Sequence, residues 1–580
     1  MSMFRKVLLG KIVAVVAAAA FLFAVSTQAQ SKVDKKVFLK KFLDASHKIP
    51  ASHRTLLSGG MQNFLELAKS LNEPHLKAGI RDDGGTFTGP TKSQLLNRAR
   101  RNALIASSPT GFGGTIRVSN PTLDFVGSVM TGFTQSETSS AWCGNNIVAG
   151  YNDSGAYLRT ALTNFDGPWS LSGVSVSANG GKTFIDLGYL NPGGDPLNFL
   201  IGDPVIACTS SSRFYYASIF ATATPPDAQG FRNPISAVSI NRSNSGGAVW
   251  GSPIVAAGKD GFTHSLDKPW FTVDPSNAMQ LYVTYTDFDF SFPKTGTCAN
   301  DARYAIELVS SSDGGSTWGK PVVIDEQCGA SFNGVQGSNV AVSATGKVYV
   351  AYEYYPGAVP QNEIHITSST NNGKTFSAPI KVSDVWPNGA NGRLQGGFRS
   401  NEFPQLAIDR TAGPSHDTVY ITWSDGINGI VPDMAVGTYA YADIVVASSK
   451  DGGATFSTPL VVSPTPASFT GNGRDQFMPG IAVDKDGTVA VCYYDRRADE
   501  DNSVIDRYCS VSHNHGASWL GHRASNANWV PAHHTDNTIN TVYIGDYDAM
   551  TSDFLMLNSG FFGTFEVQDN GNPDVVGTKF

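Results

Sequence analysis

The sequence predicts an all-β chain folded as a multi-bladed propeller, with a small helical region ahead of it. Three observations carry that expectation. From about Gly113 onward, short runs rich in Val, Ile, Tyr and Thr, such as LYVTYTD, KVYVAYEYY, TVYITWSD and TVAVCYYD, alternate with Gly, Asn, Asp and Ser turns. A polar turn of fixed form recurs six times. Between its copies a second element recurs, an acidic or amide residue near a proline followed by an apolar strand.

Taken in chain order, residues 1–29 read as a secretory signal peptide. Arg5, Lys6 and Lys11 mark the basic start, an apolar run spans Ile12 to Val25, and cleavage is expected after Ala29. No second apolar stretch approaches membrane-spanning length. Residues 30–112 form a separate region. VFLKKFLDASHKI and GMQNFLELAKSL carry apolar residues at spacings of three and four, the period of helices. Pro74 and Gly79 supply a stop, and Gly84, Gly85 and Gly89 read as linker. This appendage is expected to be a propeptide or a packing arm. Residues 113–580 are the expected propeller.

The 580 residues suffice for a large core, and their formal charge of −7 becomes more negative once the three basic residues of the signal are removed. That balance gives no reason to expect a nucleic-acid partner.

The polar turn has the form Ser-x-Asp-x-Gly-x-Thr-aromatic. Its fullest copy is Ser311, Asp313, Gly315, Thr317 and Trp318. A second has Ser449, Asp451, Gly453, Thr455 and Phe456. Asn179, Asn371 and Asn514 replace the aspartate in three more, and Ser245 replaces it in a worn copy ending at Trp250. Asp or Asn bonds nearby backbone N–H groups, Gly permits a positive φ, and the aromatic ring packs beneath the turn. Catalysis needs no such repetition, so these turns are read as structural staples.

The second element appears in GDPVIA, DKPWFTVD, NEFPQLAID and DQFMPGIAVD, with SNVAVS as a copy lacking Pro. Each is followed by a turn, a Tyr-rich strand and a strand leading into the polar turn. Four antiparallel strands repeated every 60–70 residues are propeller blades. Strand starts near 145, 203, 267, 338, 402, 478 and 544 favour seven blades over six. The last blade is expected to borrow a strand from before residue 130, which would remove an open edge.

The polar turns resemble the Asp-boxes, or BNR repeats, of the sialidase superfamily, over about residues 135–580. The resemblance implies a sialidase-like propeller that is secreted and is carbohydrate-active or carbohydrate-binding, although such turns also occur in propellers with other glycosidase activities or none. In sialidases an arginine triad holds the substrate carboxylate, a Tyr–Glu pair is the nucleophile and an Asp the acid/base. The superfamily's Phe/Tyr-Arg-Ile-Pro motif has no proper copy. FRNP, with Arg232, has Asn in place of Ile and lies in the second repeat unit.

Topology places the start of strand one and the end of strand two at one rim, opposite the polar turns. That rim gathers Asp203, Asp267, Asp287, Glu402, Asp425, Asp475, Asp495 and Asp546. A glycosidase needs a protonatable carboxyl facing a nucleophile or second carboxylate, and this set would supply both. Asp267 is the candidate acid, with Glu402 and Tyr547 on the nucleophile side. Arginine offers a planar fork for a carboxylate, so Arg399, Arg496 and Arg497 are the candidate substrate-binding residues. Arg159 or Arg303 would be a further donor. The competing expectation makes these carboxylates strand caps and Arg496 a rim salt bridge.

Six cysteines in an exported chain permit disulfides, in any of fifteen connectivities. Cys492 with Cys509 on consecutive strands, Cys298 with Cys328, and Cys143 with Cys208 are the expected pairs. The second would stabilise by roughly 3–4 kcal/mol in the chain-entropy model. No cofactor is expected. Asp499, Glu500, Asp501 and Asp506 form an oxygen-rich loop of the kind calcium takes, without a helix-loop-helix spacing, and the adjacent His533 and His534 need not converge on zinc. The expected function is a sialidase-like exo-glycosidase acting on extracellular glycans, secreted, periplasmic or at the cell surface. A noncatalytic glycan- or protein-binding propeller is the alternative.

Overall fold

The computed structural model describes nine residues between Phe38 and Leu65, and residues 114–580 apart from short stretches, the longest being 464–473 and 531–543. Residues 1–37 and 66–113, which hold the expected signal segment and linker, lie outside the described residues, as do Glu500, His533, His534 and the side chain of Arg159.

Seven blade sheets follow one another along the chain, each of four antiparallel strands, with the short strand Trp169–Ser170 added parallel to the first strand of blade 2. Blade 1 begins with Gln135–Cys143, blade 2 with Phe199–Cys208, blade 3 with His264–Asp274 and blade 4 with Gly334–Val342. The inner strands of blades 5, 6 and 7 are Gln405–Ile408, Gln476–Val483 and Met550–Ser552. Blade 7 is closed by the early strand Ile116–Arg117, which pairs with the C-terminal strand Asn572–Lys579 through Ile116↔Gly577. Closure joins the two ends of the domain and covers an edge that would otherwise offer unpaired N–H and C=O groups. Apolar side chains of successive sheets interdigitate, as where Tyr349, Ile364 and Ile366 of blade 4 pack on Leu406, Ile421 and Trp423 of blade 5.

Each polar turn folds on its own hydrogen bonds. In the copy at Ser311, the serine Oγ accepts the Gly315 N–H at 2.9 Å and donates to Asp313 at 2.8 Å. Asp313 Oδ1 accepts the Thr317 N–H at 2.9 Å, and its Oδ2 accepts the Thr317 hydroxyl at 2.6 Å. The serine-to-glycine bond recurs at Gly181, Gly247, Gly373, Gly453 and Gly516. Gly315 has φ +79°, a conformation that L side chains rarely adopt.

Two features depart from the pattern expected from sequence. The run at Asn145 opens strand two of its blade; the inner strand is the preceding QSETSSAWC, all nine residues buried. Its polar residues bond across blades, Ser139 Oγ to the Ile206 N–H at 3.0 Å and the Thr138 hydroxyl to Asp548 at 2.6 Å. No hydrophobic alternation marks it for that reason. A helix, Ser154–Thr163, is inserted between strands two and three of the same blade. Asp153 Oδ1 caps its start by accepting the Ala156 N–H at 2.9 Å.

All six cysteines pair as expected. Cys143–Cys208 ties blade 1 to blade 2, Cys298–Cys328 closes a loop onto blade 3, and Cys492–Cys509 links register partners in blade 6. Among the described residues, no helix is long and apolar enough to cross a membrane.

Candidate functional site

The inner strands of blades 1, 2, 3, 4 and 6 share one irregularity. At the same place in each, two residues oppose a single residue of strand two: Glu137 and Thr138 oppose Tyr151, Asp203 and Pro204 oppose Ser218, and Lys268 and Pro269 oppose Tyr285. Gly337 with Ser338 and Met478 with Pro479 complete the set. The first residue of every pair has a left-handed φ, between 47° at Lys268 and 66° at Gly337. Proline suits the second position because it has no ladder N–H to lose. This bulge is the physical content of the acidic-x-Pro repeat. It also re-aims a side chain. Holding a non-glycine residue at positive φ costs on the order of 1–3 kcal/mol, so the surrounding contacts must over-determine it.

The bulge side chains of the first three blades meet. Lys268 Nζ lies 2.8 Å from Glu137 Oε1 and 3.2 Å from Asp203 Oδ2. It also lies 2.6 Å from Asp546 Oδ2, delivered by the approach to blade 7. One ammonium thus gathers three carboxylates delivered by different blades. Asn152 braces two of them, donating to Glu137 Oε2 at 2.7 Å and accepting the Asp203 N–H at 2.8 Å. Arg399 grips Asp546 through Nε and Nη2, both at 2.7 Å. Its Nη1 donates to the Leu57 carbonyl at 2.8 Å.

The group is deeply buried: Lys268 is 4% exposed and Asp203 is fully enclosed. Burial and the neighbouring Glu137 push the Asp203 carboxyl well above the usual carboxylate range. Its Oδ2 stands 3.2 Å from Lys268 Nζ, and a hydrogen bond shared with Glu137 adds to the upward shift. Burial opposes ionisation of Asp546 too, but Arg399 and Lys268 hold it below its ordinary value. Burial would deprotonate Lys268, and Asp203, Asp546 and Glu137 outweigh it, raising its pKa. The arrangement thus sets a carboxyl biased toward its protonated form, Asp203, beside one biased toward ionisation, Asp546, with the Lys268 cation between them. A narrow cleft opens beside it, lined by Lys268, Trp270, Ser338, Phe403, Gln405 and Tyr547 among others.

A second acidic group stands on blade 4. Glu353 opposes Gln336, the residue before the bulge, as Asn152 opposes Ser136 on blade 1. Glu353 accepts the Tyr355 hydroxyl at 3.0 Å and an Asn362 amide N–H at 2.7 Å. Burial, then the charge of Glu402, raises the Glu353 pKa well above normal. Burial with Glu353 and Glu402 likewise raises Tyr355, against the pull of Arg399. Arg399 thus acts electrostatically on both groups.

The residues singled out from sequence are distributed as follows. Asp267, one step before the bulge, is buried and acts electrostatically on Asp203 and Lys268. Glu402 belongs to the blade-4 group. Tyr547 is buried, donates to the Pro204 carbonyl at 3.0 Å and stacks edge-on against Trp270. Arg399 lies in the central group. Arg496 is fully buried over the rings of Phe398 and Phe477, with Nη1 3.4 Å from Asp475. Arg497 clamps Asp495 in its own blade and covers Tyr508. Arg303 is held by Glu326, Asp287 and Glu307 on blade 3. Asp499 ties its own loop, accepting the Ser503 and Val504 N–H groups at 2.7 and 2.8 Å. No cluster of three metal-ligating side chains occurs among the described residues.

Sequence reasoning passed over Glu137, Lys268, Glu353 and Tyr355. Lys268 stands inside the DKP copy of the repeat, and Glu353 with Tyr355 ends the Tyr-rich strand KVYVAYEYY, so both left a signal. Glu137, in a copy without proline, left none.

No protein-family model and no curated protein matches the chain. Among solved structures it is similar to an α-L-arabinofuranosidase from Fusarium graminearum, at 10% identity over 66% of this chain and 93% of that one, with a TM-score of 0.41. It is also similar to an α-L-arabinanase from Penicillium chrysogenum, at 13% identity over 66% and 94% of the two chains with a TM-score of 0.41. A Hadza microbial sialidase aligns at 12% identity over 70% and 73% of the chains with a TM-score of 0.38. These likenesses assign no activity.

Proposed function

We propose that this protein is an exported glycoside hydrolase acting on extracellular glycans, with Arg399 orienting an acidic or hydroxyl-rich sugar. The observation that carries the reading is the Asp203 carboxyl, buried, held at positive φ, raised in pKa by burial and Glu137, and set beside Asp546 across Lys268. A carboxyl kept protonated near neutral pH is a general acid. Asp203 would give its proton to the leaving-group oxygen as the glycosidic bond breaks. Tyr355 would attack the anomeric carbon and pass its own proton to Glu353, forming a glycosyl-enzyme. Water would then add at the anomeric carbon and give up a proton as the tyrosine oxygen leaves and recovers one. Lys268 and Arg399 hold the carboxylates in place. The polar turns belong to this reading as Asp-boxes, the three disulfides suit an oxidising, extracytoplasmic address, and the first 29 residues supply the export signal.

The test is turnover of fluorogenic sialosides, arabinofuranosides and uronides by protein recovered from the medium, across about pH 4–8. Asp203→Asn and Tyr355→Phe should each lower kcat by about 10²–10⁴-fold with unchanged unfolding temperature. Absence of turnover on every glycoside would instead favour a binding propeller. The near-complete burial of the cluster supports that second reading, and a glycan array would pursue it.

A further inference from the structure

The described residues of the N-terminal region lie on the bulged rim. Phe38 stacks on Phe199 of blade 2 with centroids 5.5 Å apart, and Lys41 Nζ sits 5.1 Å above the ring of Phe262, before blade 3. Phe38, Leu39, Leu43, Leu57 and Met61 are buried in one apolar cluster with Phe288, Tyr304 and Val335. Those partners mark the ends of strand two and the starts of strands three and one, at the same rim as the carboxylates. Leu57 then reaches Arg399, just before blade 5, across a sequence gap of 342 residues. The described contacts therefore run from blade 2 to blade 5 around the charged group.

We propose that the segment carrying Phe38, Leu39, Leu43, Leu57 and Met61 is a displaceable plug, with the Leu57 carbonyl standing at Arg399 where an oxygen of the substrate binds. This rests on the reading of the cluster as a glycan site. Three observations carry it. Two edges of the Arg399 guanidinium are committed to Asp546, and the remaining nitrogen meets a neutral backbone acceptor, the kind of oxygen that a sugar hydroxyl or carboxylate would replace with equal or greater strength. Asp203, Asp267, Asp546 and Glu402 are each no more than 1% exposed with the segment in place, and Leu57 contacts Arg399, the partner of Asp546. None of the six cysteines precedes Cys143, so no disulfide ties the segment to the propeller. Its anchors are apolar side chains, which release without breaking a covalent bond.

The test uses the full chain and labels arginines with phenylglyoxal, read by mass spectrometry. Wild type is compared with a Phe38→Asp/Met61→Asp variant, and with a chain carrying a specific protease site after Gly84, cut and washed. Arg399 should be labelled roughly tenfold faster or more in both, since protection by a docked segment follows its opening free energy. Fully buried Arg496 should stay protected. Unchanged labelling in chains that unfold at the wild-type temperature overturns the proposal. Collapse of the propeller in both altered chains also overturns it, because the segment would then be part of the fold. Faster labelling accompanied by a rise in glycoside turnover supports plug and hydrolase together. Faster labelling with no turnover on any glycoside supports the plug and removes the hydrolase reading.

Discussion

At one rim of the propeller, six turns repeat both backbone and side chains, each serine oxygen accepting the glycine N–H four residues on. At the other, a bulge repeats its backbone five times, but its leading residue is Glu137, Asp203, Lys268, Gly337 and Met478 in turn. The first rim satisfies its polar groups locally and in contact with water. The second, at Lys268 and Arg399, satisfies them by bringing residues from different blades together out of water. Repetition of side chains marks a part that serves every blade alike. A repeated backbone with divergent side chains marks a part in which each blade contributes something different.

The largest effect that would break this contrast is expected at Lys268. Lys268→Met removes the cation shared by Glu137, Asp203 and Asp546 and leaves their charge buried, for a loss of about 3–5 kcal/mol at neutral pH. Urea unfolding measures it. The deficit should shrink as pH falls, because the stranded carboxylates then take up protons. A loss as small as that of a polar-turn variant would contradict the difference between the rims.

Stability should also depend on pH in opposite senses at the two rims. Burial raises Asp425, at the bulged rim, from 3.8 to about 6. Between those values the folded chain binds the proton more tightly than the unfolded one, so this group's contribution falls as pH rises, by about 3 kcal/mol in all. Asp425→Asn should flatten that slope in unfolding curves taken across the window. Asp313 and Asp451 are held below their ordinary values chiefly by hydrogen bonds from Thr317 and Thr455. Their contribution is present above the ordinary carboxylate pKa and is lost as pH falls through their lowered values. Asp313→Asn, which copies three sister turns, should remove that acid-side dependence and, with it, the part of the stability at pH 7 that the charged acceptor supplies.

Smaller effects sharpen the comparison at the polar turns. Ser311→Ala deletes a buried acceptor of the Gly315 N–H and should lower the unfolding free energy by about 1 kcal/mol. In the worn copy, Ser245 Oγ already accepts the Val249 N–H at 2.8 Å. Ser245→Asp should therefore raise stability, by roughly 0.5 kcal/mol in thermal unfolding, as a return to the common pattern.

By itself the sequence determined the parts whose physics is local. The polar turns are closed by residues within seven positions of each other, and the Val-, Ile- and Tyr-rich strands are buried on both faces between neighbouring blades, so six of seven blades announced themselves. The cysteine pairs followed from adjacent strands and repeat units. The inner strand of blade 1 did not announce itself, because its Ser and Thr residues are buried through bonds to other blades. The tertiary structure alone decided the site. Glu137 joins Lys268 across 131 positions, and Arg399 joins Asp546 across 147. Arg399 and Arg496, alike in sequence, end in different surroundings, one on Asp546 and the other between aromatic rings. Such convergence depends on blade closure and on a positive φ at the bulge, neither of which a local pattern of residue types encodes.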